Sequence, residues 1–162
     1  MLIGNLPGMV YRCKNVKNWE MEFVSDGCYP LTGYYPSDLV CNASISYAEL
    51  IHQDDRQMVW DRIQEALVEK QKFQVNYRII TADKKEKWVW EQGQGIFEND
   101  NILALEGLIL DITPRIKNEN QLKEKNEFIE TVLSNLPIGL AVNSIDSGNV
   151  TYINKKFEEI YG

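Results

Sequence analysis

The sequence predicts an α+β fold with an antiparallel sheet, and three observations carry that prediction. Between residues 73 and 112, three runs of strand character follow one another with only short polar turns between them. Such turns suit antiparallel neighbours, because a parallel pair needs a long crossover. Ahead of these runs, residues 54 to 67 carry apolar residues at helical spacing. Finally, the tail restarts the head, since Leu6-Pro7 opens a pattern that Leu136-Pro137 opens again about 130 residues later.

Met9 to Cys13 and Glu20 to Val24 are near-alternating apolar runs around the polar turn Lys14 to Asn18, and predict a strand pair. From Ser25 the chain is punctuated by Asp26, Gly27, Pro30, Gly33, Pro36, Ser37 and Asn42, which permits only short helices and turns to about residue 45. Asp54 or Asp55 then caps a long helix, a carboxylate there accepting from the free N–H groups of the first turn. Val59, Trp60, Ile63, Ala66 and Leu67 give this helix its apolar face, opposite Asp61, Arg62, Gln64 and Glu65.

After Lys72 the period becomes two. Phe73, Val75, Tyr77 and Ile79 alternate with Gln74, Asn76 and Arg78; the turn Ala82 to Lys85 leads into Lys87 to Phe97, where Trp88 and Trp90 share a face. A second turn at Glu98 to Asn101 returns the chain as Ile102 to Ile112. In this last strand Leu103, Leu105 and Ile109 face one way and Leu108, Leu110 and Ile112 the other, so both faces of the sheet need cover. Thr113 caps a highly charged helix with Pro114 at its first position, where a missing N–H does no harm. Its apolar positions Leu122, Ile129, Val132 and Leu136 are too few for a coiled coil, and it ends before Pro137.

The repeat extends beyond the two Leu-Pro pairs. Phe23/Tyr152, Val24/Ile153, Ser25/Asn154, Leu31/Ile160 and Gly33/Gly162 share one offset, a residue shorter than that of the Leu-Pro pairs. The organisation expected is a complete domain over residues 1–113, an amphipathic connecting helix over 114–135 and the truncated start of a second domain over 136–162.

Composition excludes several classes. The net charge is −7 with no basic stripe, so nucleic acid is a poor partner. Cys13, Cys28 and Cys41 are odd in number and widely spaced, which suggests neither a disulfide framework nor a thiolate metal site. The most apolar stretch, Ile102 to Ile112, is broken by Glu106 and falls short of the roughly 20 residues of a membrane helix. No basic, apolar leader opens the chain, and a cytoplasmic location is expected. An enzyme is disfavoured for these residues: the acidic pairs Asp54/Asp55 and Glu158/Glu159 lie on helices without an accompanying nucleophile, and Gly93-Gln94-Gly95 lies inside a strand rather than before a helix.

In order and spacing, Phe23-Val24-Ser25, Leu31-Thr32-Gly33-Tyr34, Ser46-Tyr47, Ile51 to Arg56, Tyr77-Arg78-Ile79, Lys87-Trp88-Val89 and Gly107 through Thr113 resemble a PAS domain with its PAC motif, of the kind common in bacterial sensor proteins. The resemblance covers nearly all of residues 6 to 113. It implies a PAS fold: a five-stranded antiparallel sheet with helices on one face, a small cavity, and a signalling helix leaving the last strand. The family's Asp-Ile-Thr joint falls on Asp111, Ile112 and Thr113, which the resemblance makes the signal relay. Departures are few: Gln53 stands where the family often has proline and Pro114 where it often has an acidic residue, and the turns at Lys84 and Asn99 to Asn101 lack the usual glycine.

Some members of that family bind flavin or haem. Cys41-Asn42-Ala43-Ser44 reverses the Asn-Cys order of the flavin photosensors and lacks their Arg and Phe, which disfavours flavin. The only histidine, His52, sits at the mouth of the long helix where the family carries it structurally, and Met58 on that helix is a packing residue, so haem is disfavoured too. A pocket for an unknown small molecule, if one exists, is expected among Tyr11, Phe23, Tyr47, Trp60, Tyr77, Trp88 and Trp90, with Arg78 and Gln92 as polar donors. Equally, those rings could fill the core.

The function expected is a sensory and dimerisation module of a multi-PAS signalling protein. A sensor histidine kinase of a two-component system is the first expectation for the parent, with a diguanylate cyclase or a ligand-free interaction scaffold as alternatives. Partners would be a second copy, through the sheet face and helix, and the neighbouring PAS and output domains.

Overall fold

The computed structural model describes residues 8–162, so Leu6 and Pro7 of the first repeat lie outside the described residues. Two compact units divide the chain between Pro114 and Arg115. The first contains β1 (Gly8–Cys13), β2 (Met21–Val24), α1 (Cys28–Thr32), α2 (Pro36–Leu39), α3 (Tyr47–Leu50), α4 (Arg56–Val68), β3 (Phe73–Ile80), β4 (Glu86–Glu98) and β5 (Asn101–Asp111). The strands form one sheet in the order β2-β1-β5-β4-β3, antiparallel throughout.

Local chemistry sets the boundaries. α1 stops at Gly33, whose φ of 80° turns its N–H back to the Tyr29 carbonyl, a conformation that glycine adopts without strain. α2 and α3 start where the carboxylates of Asp38 and Glu49 reach back to the N–H groups of Tyr35 and Ser46, at 2.9 Å each. The β4–β5 hairpin turns on Asn99 and Asp100 at φ 47° and 66°, so the missing glycine is replaced by two residues that tolerate the left-handed region. Lys84, at φ 64°, makes the same bend in the β3–β4 turn.

The inward face of the sheet carries Met9, Tyr11, Cys13, Tyr77, Ile79, Val89, Leu105 and Ile109, packed with Leu31, Leu39, Leu50, Val59, Ile63 and Leu67 from the helices. Only Val59, Ile63 and Leu67 of α4 are fully buried, while Met58 is 39% exposed rather than core-facing.

Two expected caps have other partners. Asp55 occupies the N-cap of α4, but its side chain caps nothing. It accepts instead from the backbone N–H of Arg78 (2.9 Å), Nε (2.9 Å) and Nη2 (2.6 Å), because a guanidinium offers a carboxylate a better-matched fork than the helix amides do. Likewise α5 (Thr113–Asn135) begins at Thr113, whose hydroxyl is turned onto β4.

The second unit holds the remainder of α5 with β6 (Ala141–Asn143), β7 (Val150–Ile153) and α6 (Lys155–Tyr161). It repeats the opening of the first unit bond for bond. Ser25 Oγ accepts from Val10 N and Ser25 N donates to the Val10 carbonyl; Asn154 does the same with Leu140. Cys28 N donates to Ser25 O as Phe157 N does to Asn154 O, and Gly33 N to Tyr29 O as Gly162 N does to Glu158 O. The β1–β2 pair slips register between Arg12 and Cys13, and the β6–β7 pair between Val142 and Asn143. The longer Asn154 side chain, 1% exposed, also donates to the carbonyls of Leu133 and Ile138 and so fixes the end of α5.

Candidate sensory cavity and helix corner

Glu91 is the inward residue of β4 between Val89 and Gly93, and it is 4% exposed. Tyr11 donates its hydroxyl to Glu91 Oε1, and Tyr77 donates to Oε2 at 2.6 Å. Tyr47 lies 3.0 Å from the Tyr77 oxygen and, as the Tyr77 hydrogen is already engaged, is its donor. Two phenols thus converge on one carboxyl group and a third backs one of them, and the carboxyl group has no cationic partner among the described residues. Gly107 gives Tyr11 its room, because a Cβ there would sit 2.8 Å from the phenol oxygen. Beside the cluster is a cavity of about 10 Å³, the size of one water, lined by Tyr11, Cys13, Trp19, Tyr47, Glu91 and Ile109 among others.

Burial in this apolar wall pushes the Glu91 pKa above its ordinary 4.5, opposed by the two phenol hydrogen bonds. Burial likewise pushes Tyr11, Tyr47 and Tyr77 up, so they stay protonated donors. The folded state therefore holds the Glu91 proton to higher pH than the unfolded chain does. Its contribution is fully present below pH 4.5 and is lost as pH rises towards the raised value. In urea titrations against pH, wild type is expected to lose stability relative to Glu91→Gln across that rise. A difference that stays flat with pH would mean that Glu91 is not perturbed.

Of the pocket residues anticipated from sequence, Tyr11, Tyr47 and Tyr77 are brought together; the others are not. Phe23 is 53% exposed, because β2 is the edge strand and Phe23 points away from the core. Trp88, Trp90 and Gln92 lie on the outer face, since β4 turns Val89, Glu91 and Gly93 inward. Arg78 is also outward, paired with Asp55 and 5.7 Å from the Trp88 ring. Trp60 lines a separate outer cleft. Cys41 is exposed, and His52 accepts from the Asp54 amide at 3.3 Å.

Glu91 itself was missed, although a signal existed. The tight turn pairs Ile80 with Glu86, and counting back along the hairpin places Val89 opposite Tyr77 and Glu91 opposite Val75, both inward positions of β3.

Three residues along β4 from Glu91 is Trp88, the anchor of the helix corner. Trp88 N donates to Thr113 Oγ1 at 2.9 Å, and Ile112 N donates to the Trp88 carbonyl at 2.9 Å. Thr113 N donates to Asp111 Oδ1 at 2.9 Å, so the carboxylate and the hydroxyl together fix the strand-to-helix bend. Lys87 Nζ, 3.3 Å from Asp111 Oδ2, also donates to the Pro30 carbonyl of α1 at 3.0 Å.

An antiparallel sheet with helices packed on one face, a small, mostly apolar cavity beside one buried carboxyl group, and a helix hydrogen-bonded at the end of the last strand define a PAS-type α+β domain. The sequence profile of the PAS fold matches residues 21–109, more than half of the chain, and a PAS domain profile matches residues 127–162. The chain belongs to the PAS family. It is 28% identical over 129 residues to the methyl sulfide methyltransferase-associated sensor of Methanosarcina acetivorans, a match covering 78% of this chain and 13% of that protein. The fold resembles a sensory box histidine kinase/response regulator from Burkholderia thailandensis, with TM-score 0.63 and 22% identity over 80% of this chain and 95% of that one. It also resembles the N-terminal domain of a diguanylate cyclase with PAS/PAC sensor from Marinobacter aquaeolei, with TM-score 0.56 and 15% identity over 67% of this chain and 97% of that one.

Proposed function

We propose that the first unit is the sensory and dimerisation module of a longer cytoplasmic signalling protein, passing a change at the Glu91 cluster to α5 through the Asp111–Thr113 corner. The observation that carries this reading is that one strand, β4, bears both Glu91 and the Trp88 anchor of Thr113. They are three residues apart, about 10 Å at strand rise. A rearranged carboxyl–phenol cluster displaces β4, and the two hydrogen bonds at Trp88 transmit the displacement to the first turn of α5.

The output we propose is a histidine kinase, in keeping with a module that precedes a second PAS domain; a diguanylate cyclase is the alternative. The module works without flavin or haem. Its partner copy docks on the outer face of the sheet, where Val10, Trp90, Leu108 and Leu110 form a half-buried apolar band. No helix among the described residues is long and apolar enough to cross a membrane. A second reading, a ligand-free scaffold, draws on the small size of the cavity.

Thr113→Val keeps the shape of the corner and the Ile112 bond to Trp88, and removes both hydroxyl bonds, in which Thr113 Oγ1 accepts from Trp88 N at 2.9 Å and donates to the Trp88 carbonyl at 3.3 Å. In the parent protein it is expected to abolish most of the signal-dependent change in output while leaving protein level and basal output in place. A response equal to wild type would refute the corner as transmitter.

A further inference from the structure

The Glu91 cavity and a cleft outside it share a wall. The cleft, about 200 Å³, is lined by Lys17, Trp19, Ala48, Ile51, Arg56, Gln57 and Trp60. Trp19 and Ile51 line both spaces, so they form the partition between them. Trp19 is held at φ 49°, a left-handed conformation that costs a bulky residue on the order of 1–3 kcal/mol, so leaving it relieves strain. Its ring leans on Trp60 at 5.0 Å.

The two spaces carry complementary groups. Inside is the Glu91 carboxyl group, which has two phenol donors and no cation among the described residues. A carboxylate accepts about four hydrogen bonds, so two acceptor positions remain. At the mouth are two cations. Lys17 makes no ion pair among the described residues and stands 6.0 Å from the Trp60 ring. Arg56 donates Nε to the Ile51 carbonyl and Nη2 to the Glu49 carbonyl, which leaves three of its five N–H donors.

We propose that the cavity and the cleft are one binding site for a small zwitterion of the amino-acid type, its ammonium group against Glu91 and its carboxylate at Lys17 and Arg56, admitted when Trp19 swings aside. An ammonium head is the size of the one-water cavity, and the rest of the ligand takes the place of the displaced indole. The Tyr11 and Tyr47 rings add cation–π contact to the ion pair. Selectivity follows from the same arrangement, because a ligand with a single charge leaves one end of the site unpaired. This inference deepens the sensory reading above and rests on it.

The test titrates the 162-residue chain with glycine, β-alanine and γ-aminobutyrate, and with butylammonium and butyrate, following heat and tryptophan fluorescence. At least one zwitterion is expected to saturate the protein at least about tenfold more tightly than either singly charged compound. Glu91→Gln is expected to weaken that zwitterion at least about tenfold. Since Glu91 lies in the core, the surface double variant Lys17→Met/Arg56→Met is the decisive one, and a loss of similar size is expected. No saturation by any zwitterion up to about 10 mM overturns the proposal. So does butylammonium binding as tightly as the zwitterions, or unchanged affinity in the double variant. A signal-dependent output that needs Thr113 although no zwitterion binds would leave the sensory reading standing and remove this one.

Discussion

Replacing Ile109 with alanine is expected to lower the unfolding free energy by about 2–5 kcal/mol. Ile109 is fully buried, lies opposite Met9 on one side and Glu91 on the other, and lines the cavity. The upper half of that range is expected, because the cost grows with the space that neighbours fail to fill. Here the neighbours are restrained: β5 is hydrogen-bonded to β1 and β4 along both edges, so its backbone cannot settle inward. Urea unfolding followed by tryptophan fluorescence suits the measurement, since all four tryptophans lie in the first unit. A loss below about 1 kcal/mol would show that the cavity wall collapses and the core is more plastic than its packing implies.

Glu91→Leu is expected to cost about 2–4 kcal/mol, which is a statement about the tyrosines more than the glutamate. Leucine fits the apolar wall, and removing a buried carboxyl group is favourable by itself. What remains is a set of phenols with no protein acceptor, in a space with room for one water at most, at about 1–3 kcal/mol for each orphaned donor. Tyr77 can turn to Tyr47, but Tyr11 has no other partner among the described residues. The combination Tyr11→Phe/Tyr77→Phe/Glu91→Leu removes donors and acceptor together and is expected to recover most of the loss. Should the single variant prove more stable than wild type, desolvation of Glu91 outweighs its hydrogen bonds, and the phenol cluster is not what holds this glutamate in place.

The two predictions concern residues that differed greatly in how far the sequence revealed them. Alternation alone placed Ile109 on an apolar face of β5 that needs cover, since both faces of that strand are apolar and either register buries an aliphatic. Glu91 could not be found in that way. Its strand offers Trp88 and Trp90 on one face and Val89, Glu91 and Gly93 on the other, and hydrophobicity points to the tryptophans. The fold chooses the opposite face because the turn from Ile80 to Glu86 fixes the pairing, and in that pairing the tryptophans lie across from Arg78 and Asn76, which would have to be buried with them. Trp88 instead lies on the outer face beside Arg78. The same competition moved Asp55 from its expected cap to Arg78, a partner 23 residues away.

Element order, the antiparallel meander, the charged helix after Thr113 and the restart of the repeat were legible in the chain before it was folded. These follow from periodicity, turn chemistry and local spacing, all of which act between near neighbours along the chain. The resemblance of its motifs also led to the PAS family and to the Asp111–Thr113 corner. Packing settled which face of β4 is buried, which phenols meet around Glu91, and that Lys17 and Arg56 open onto the other side of Trp19. Those facts depend on strand register and on helices folded across the sheet, where partners far apart in sequence compete for the same hydrogen bonds.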